Sequence, residues 1–204
     1  MESFLSIIIA YLIGSIPFAY LITRRRKGID IRRVGSRNMG AMNVMYTAGP
    51  LFGLLVLTLD FSKGVMSIFI ARWLCDSQMV EMLAGAAAIA GHILPVFLKF
   101  KGGKGGATCI GVFFTLMPWG VPVFYLIFGL LTAATRFLTL AYSVALLCFP
   151  FVAWFLYDST ELVIFASIIM VILALRYLPR AMQMRAAGGS WRRVFIRRNL
   201  KDRL

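Results

Sequence analysis

The chain has a single histidine and three cysteines, so a His-rich metal centre is excluded, and no CxxC or other ligand spacing links Cys75, Cys109 and Cys148. Each cysteine falls in or beside an apolar segment and reads as small apolar filler. Acidic residues are also few: eight against 22 lysines and arginines, a formal net charge of +14. With only His92 available, no Ser-His-Asp set can be drawn. Lys104 is not followed by Ser or Thr, which excludes a Walker A loop. No base precedes the first apolar run, and Arg24-Arg25-Arg26-Lys27 follow it. That order is the reverse of a cleavable signal peptide and predicts a retained first helix with its N-terminus outside.

What the chain has in excess is apolar length. Of its 204 residues 60% are hydrophobic, and mean hydropathy is +0.84. Seven apolar segments are read at about 3–23, 50–74, 80–98, 107–118, 119–134, 139–157 and 160–177. The fourth is short, and Pro118 and Pro122 mark its junction with the fifth, so those two form either two spans or one bent pair. The expected fold is all-α: a polytopic membrane protein of about seven helices, built as one unit over residues 1–188 with a basic cytoplasmic tail at 189–204. In the tail, Trp191, Val194, Phe195 and Arg198 fall at helical spacing among bases. A surface helix on anionic lipid and a plain solvated tail both fit.

Charge sets the expected topology. With the N-terminus outside, all the bases except Lys63 and Arg72 fall on inner segments, while Glu2, Asp76, Glu81, Asp158 and Glu161 fall outside. The positive-inside rule is then obeyed at every connection, and an odd number of spans is preferred. Bases beside membrane segments point to topology and to anionic lipid or substrate before nucleic acid.

Two polar stretches face the cytoplasm in this topology. In the second, Phe100-Lys101-Gly102-Gly103-Lys104-Gly105-Gly106-Ala107-Thr108 separates two apolar runs. Glycine lets backbone N–H groups approach an anion, and lysines add charge. A phosphate cradle and a flexible basic connector both fit. The first stretch, Gly35-Ser36-Arg37-Asn38-Met39-Gly40-Ala41-Met42-Asn43, is rich in turn and anion-nest residues. It reads as an interfacial loop, or as half of a shared site. Asp60 and Lys63, three apart inside the second segment, share a helix face and are expected to pair as a structural feature facing the interior.

These motifs carry a resemblance. Gly35-Ser36-x-Asn38-x-Gly40-Ala41-x-Asn43, together with Gly91-His92-x-x-Pro95-Val96-Phe97-x-x-Phe100-Lys101-Gly102-Gly103-Lys104-Gly105-x-Ala107-Thr108, is similar to the first two motifs of the bacterial membrane acyl-phosphate:glycerol-3-phosphate acyltransferases, the PlsY family. The order of apolar segments matches over almost the whole chain. The resemblance implies a multi-pass enzyme of the bacterial cytoplasmic (inner) membrane acting in phospholipid synthesis. Such an enzyme moves an acyl chain from acyl phosphate to the 1-hydroxyl of glycerol 3-phosphate. It implies no metal or cofactor, no acyl-CoA or acyl carrier protein as direct donor, and no nucleic acid; membrane lipids are its surroundings and a single chain is the expected working unit.

Carried over residue by residue, Ser36 and Lys104 become the catalytic candidates, Ser36 by hydrogen bonding to phosphate and Lys104 as a point charge. Gly35, Asn38, Gly40, Asn43, Lys101, Gly102, Gly103 and Gly105 become substrate-binding candidates, with Thr139 where the family has a hydroxyl near the acceptor. His92, seven residues before Lys99, is expected about two helical turns into the membrane, in a helix-packing hydrogen bond. Four positions depart from the family, in three places. Tyr46 stands where it has Arg, and Arg37 where it usually has glycine. Arg176-Tyr177-Leu178-Pro179-Arg180 stands where it has Arg-His-x-x-Asn. Arg37 and Arg180 are therefore candidates to resupply charge. A changed acceptor, a non-catalytic lipid- or partner-binding relative, and a small transporter of phosphorylated solutes remain alternatives.

Overall fold

The computed structural model describes residues 1–188; the basic tail from residue 189 lies outside them. Helices are the only regular elements among the described residues. The chain divides into two compact units, the first ending at Leu116 and the second beginning at Met117.

The first unit holds six helices: α1 (Glu2–Ser15), α2 (Phe18–Lys27), α3 (Ala41–Ala48), α4 (Pro50–Leu74), α5 (Gln78–Ile93) and α6 (Gly106–Leu116). The apolar segment read at 3–23 is broken at Ile16-Pro17, and helix runs on to Lys27. Pro17 has no N–H to donate and pushes Ile16 out of the helical region, to ψ 118°. Gly28, at φ 68°, ends α2, with Arg24 donating to its carbonyl at 2.7 Å. Pro50 opens α4, where its fixed φ is ready for a helix and its missing N–H is not needed.

Small residues set the packing. A Cβ on Gly64 of α4 would run into the Thr108 carbonyl, and one on Gly111 of α6 into the Phe61 carbonyl. The two backbones touch reciprocally, as membrane helices do when van der Waals contact replaces hydrophobic drive. At the far end of α4, Arg72 grips Glu81 of α5 through two hydrogen bonds of 2.9 and 2.7 Å, closing the α4–α5 hairpin.

The second unit holds α7 (Gly120–Thr135), α8 (Leu138–Ala145), α9 (Cys148–Tyr157) and α10 (Thr160–Gly188). The segment read as one span at 139–157 is two helices meeting at Leu146-Leu147. Pro150 lies in the first turn of α9, where no helical donor is missed. Phe149 is fully buried and stacks on Phe124 of α7 with ring centroids 6.2 Å apart. The last helix passes through Pro179 rather than ending near residue 177.

Five stretches are long and apolar enough to cross a membrane: Glu2–Lys27, Pro50–Leu74, Gln78–Leu98, Leu138–Tyr157 and Thr160–Ala186. The helices Gly106–Leu116 and Gly120–Thr135 are apolar but shorter. Exposed Leu, Phe, Ile and Trp side chains are spread along these helices, as lipid contact requires.

Candidate functional site

The first polar loop is organised by Asn43, which is 3% exposed. Its carbonyl oxygen accepts the Ser36 backbone N–H at 3.0 Å, and its amide donates to the carbonyls of Ile31, Val34 and Asn38 at 3.1, 3.1 and 3.0 Å. A primary amide has two N–H donors and a carbonyl acceptor, so with one N–H shared between two carbonyls a single side chain ties four backbone groups of the loop. Gly35 sits at φ 58° with the space of its absent Cβ taken by the Asn43 carbonyl oxygen. Arg37 also has a left-handed φ, 57°, and is exposed, as is Ser36; Asn38 and Gly40 are half-buried.

Before this loop, Asp30 accepts the Arg32 N–H at 3.0 Å and pairs with its guanidinium at 2.7 Å, while that guanidinium lies over the Tyr20 ring at 5.2 Å. The hydrogen bond from Arg32 holds the Asp30 carboxyl below the usual carboxylate range, and the same contact raises Arg32.

The second loop follows an early helix end. Pro95 forces Leu94 out of helix, so α5 stops at Ile93 and His92 occupies its last turn. His92 is thus directly beneath the loop rather than two turns along a continuing helix. A short turn, Val96–Leu98, leads into Lys99 and Phe100, both left-handed at φ 52° and 60°. The chain then folds back: Gly103 donates its N–H to the His92 carbonyl at 3.1 Å. A Cβ on Gly103 would collide with His92 Nε2 and approach the Met39 carbonyl to 2.6 Å. The two glycine-bearing loops therefore meet, at Met39 and Gly103. Lys104, beside this contact, is half-buried, and Lys101 is exposed. Gly102 has no room for a Cβ against the His92 and Ile93 carbonyls, and Gly105 is left-handed at φ 84°.

Beneath the loops lies a polar cluster within the helices. Asp60 and Lys63, each 2% exposed, pair at 2.7 Å. The Lys63 ammonium also faces the ring of Phe18, the first residue of α2, at 4.9 Å. His92 Nδ1 lies 3.6 Å from Asp60 Oδ1 and 3.4 Å from the Thr108 hydroxyl, which donates to the Asp60 backbone carbonyl at 2.9 Å.

The sequence profile of the family described as "Glycerol-3-phosphate acyltransferase" matches residues 4–186. The chain belongs to the glycerol-3-phosphate acyltransferase family. It is 46% identical over 202 residues to glycerol-3-phosphate acyltransferase 2 of Dehalococcoides mccartyi, covering 98% of this chain and 96% of that one. It is 42% identical over 173 residues to the glycerol-3-phosphate acyltransferase of Endomicrobium trichonymphae, covering 85% and 87%. Among solved structures it is similar to PlsY, an integral membrane glycerol 3-phosphate acyltransferase. The glycerol 3-phosphate form gives a TM-score of 0.84 at 34% identity, covering 93% of this chain and 94% of that chain. The lysophosphatidic acid form gives 0.81 at 33%, covering 93% of each. The protein is a multi-pass membrane enzyme, an acyltransferase of phospholipid synthesis.

The site candidates of this acyltransferase separate into two groups. Ser36, Arg37, Asn38, Gly40, Asn43, Lys101, Gly102, Gly103, Lys104 and Gly105 belong to the two loops of the first unit. Thr139, near the start of α8, and Arg180, in α10 just after Pro179, belong to the second unit. Tyr46 is exposed on α3. Sequence reasoning assigned no role to Thr108 or Phe18. A hydroxyl opening an otherwise apolar helix was the available signal for Thr108; nothing local marked Phe18.

Proposed function

We propose that this enzyme transfers a fatty acyl group from acyl phosphate to the 1-hydroxyl of glycerol 3-phosphate, giving lysophosphatidate, at the cytoplasmic face of a bacterial membrane. The observation that carries the reading is the meeting of the two glycine-bearing loops at Met39 and Gly103, with Lys104 alongside. Two phosphate-bearing substrates repel each other, and a site that holds both anions in register removes much of the barrier to reaction. The 1-hydroxyl oxygen attacks the acyl carbonyl carbon, the bond from that carbon to the phosphate oxygen breaks, and the electron pair leaves with phosphate. The hydroxyl proton leaves to phosphate or water. No covalent enzyme intermediate is needed, because the mixed anhydride already carries a good leaving group.

Within this reading Lys104 supplies charge, Ser36, Arg37 and Asn38 lie toward the anion, and Asn43 keeps the Ser36 backbone in place. The Gly103 N–H is committed to His92, so the anion-facing amides come from its neighbours. The N-terminus lies outside, the two shorter helices complete seven passes, and both loops face inward with most of the bases.

The test supplies purified enzyme in detergent with labelled palmitoyl phosphate and glycerol 3-phosphate. Lysophosphatidate and inorganic phosphate appear one to one, and palmitoyl-CoA gives no product. Absence of lysophosphatidate overturns the reading. A second reading keeps the donor and changes the acceptor alcohol; Tyr46, Tyr177 and Arg180, at positions where the family carries other groups, favour it. It predicts palmitoyl phosphate turnover that is indifferent to glycerol 3-phosphate.

A further inference from the structure

The cluster beneath the loops touches the cradle at His92. Thr108 gives its hydroxyl proton to the Asp60 backbone carbonyl, so toward His92 Nδ1 it presents lone pairs. The Asp60 carboxylate, 3.6 Å away, is also acceptor-only and too far for a hydrogen bond of its own. Both neighbours of Nδ1 therefore favour a proton on it, which fixes the ring's orientation. The opposite edge of the ring, Nε2, packs against Gly103 where no Cβ fits, and the His92 carbonyl takes the Gly103 N–H. His92 is 4% exposed and has no room to swing. Lys63 pairs with the same Asp60 oxygen, Oδ1, at 2.7 Å and helps hold the carboxylate in place.

We propose that Asp60 and Thr108 are positioning residues of this acyltransferase. They act through His92, whose ring sets the seat of the Gly102-Gly103 backbone and hence the aim of the phosphate cradle. The proposal rests on the acyl-transfer reading for its consequence, but its geometry is readable without turnover. The buried ion pair, costly inside a span, is then retained for orientation rather than for stability.

The experiment measures two things on purified full-length enzyme in detergent. The first is hydrogen–deuterium exchange of the peptide covering residues 99–106. The second is the separate KM and kcat for palmitoyl phosphate. Thr108→Val keeps the shape and removes the hydroxyl; Thr108→Ser restores it. The expected result is exchange in the loop peptide at least tenfold faster in Thr108→Val and in His92→Gln, and near the parent rate in Thr108→Ser. The same two variants raise KM for palmitoyl phosphate about tenfold, and the double variant goes no further than His92→Gln alone. Loop exchange at the parent rate in Thr108→Val, or effects of Thr108→Val and His92→Gln that multiply, overturns the proposal. If the parent protein forms no lysophosphatidate, the functional reading fails, while the exchange data still decide the positioning role.

Discussion

The side-chain carbonyl of Asn43 accepts the Ser36 backbone N–H at 3.0 Å, across seven residues of loop. That bond, with three more from the same amide, makes the first loop a rigid object although it is not part of any helix until Ala41. Asn43→Asp keeps the acceptor but cannot donate to the Ile31, Val34 and Asn38 carbonyls. The expected cost is about 1–3 kcal/mol of stability from unmet buried groups, read as a lower thermal midpoint. Activity falls as well, because the Ile31, Val34 and Asn38 carbonyls are released and the loop that carries Ser36 loosens.

Gly103→Ala is expected to abolish activity while leaving most of the fold. Its Cβ meets the Met39 backbone carbonyl as well as the His92 ring, so a side-chain rotation cannot relieve it. The two loops must separate. Gly129→Ala is the control, since a Cβ there meets open space. The pair is checked by kcat/KM and thermal midpoint side by side: a loss of about a hundredfold or more for Gly103→Ala, and little change for Gly129→Ala.

Arg72 and Glu81 close the α4–α5 hairpin at the end remote in sequence from the loops. Glu81 is mostly covered, but the Arg72 side chain is 46% exposed, so solvent screening discounts the pair. Glu81→Gln is expected to cost about 1 kcal/mol or less. The thermal midpoint drops slightly and KM for either substrate stays put. A changed KM contradicts a purely tying role.

The Asp30–Arg32 pair predicts an acid-sensitive loop entrance. The Asp30 carboxyl is held below its ordinary value when folded, so its contribution is present above the unfolded value, near pH 4. That contribution is lost as pH falls through the lower folded value. The pair is partly exposed and contributes about 0.5–1 kcal/mol. Asp30→Asn therefore weakens the segment around residues 30–38 at pH 7 and removes most of its pH dependence below pH 4. Limited proteolysis across that range reads both effects.

Apolar runs and charge placement made the long helices and the two polar loops legible from the sequence. These are properties of composition over twenty residues or of residues a few positions apart. The breaks at Ile16-Pro17 and Leu146-Leu147 were not read, because a proline inside an apolar run signals a break or a tolerated kink equally well. Pro17 stands at the break between α1 and α2, Pro150 lies in the first turn of α9, and Pro179 is carried inside α10. The early stop of α5 at Ile93 was not read either: the segment was expected to run to residue 98, although Pro95 signals the stop. That the chain folds back so that Gly103 covers His92 depends on two left-handed non-glycine residues, Lys99 and Phe100, which no propensity favours. The pairing of Asp60 with Lys63 was legible from a spacing of three; Arg72 with Glu81, across a turn between helices, was not.

The account turns on one anion site drawn from both loops. Its most direct measurement is the initial rate of lysophosphatidate formation from palmitoyl phosphate and glycerol 3-phosphate by Ser36→Ala and Lys104→Ala, one variant from each loop. Both are predicted to fold and to lose about a hundredfold or more in kcat/KM. A parent-like rate in either variant would contradict a shared site.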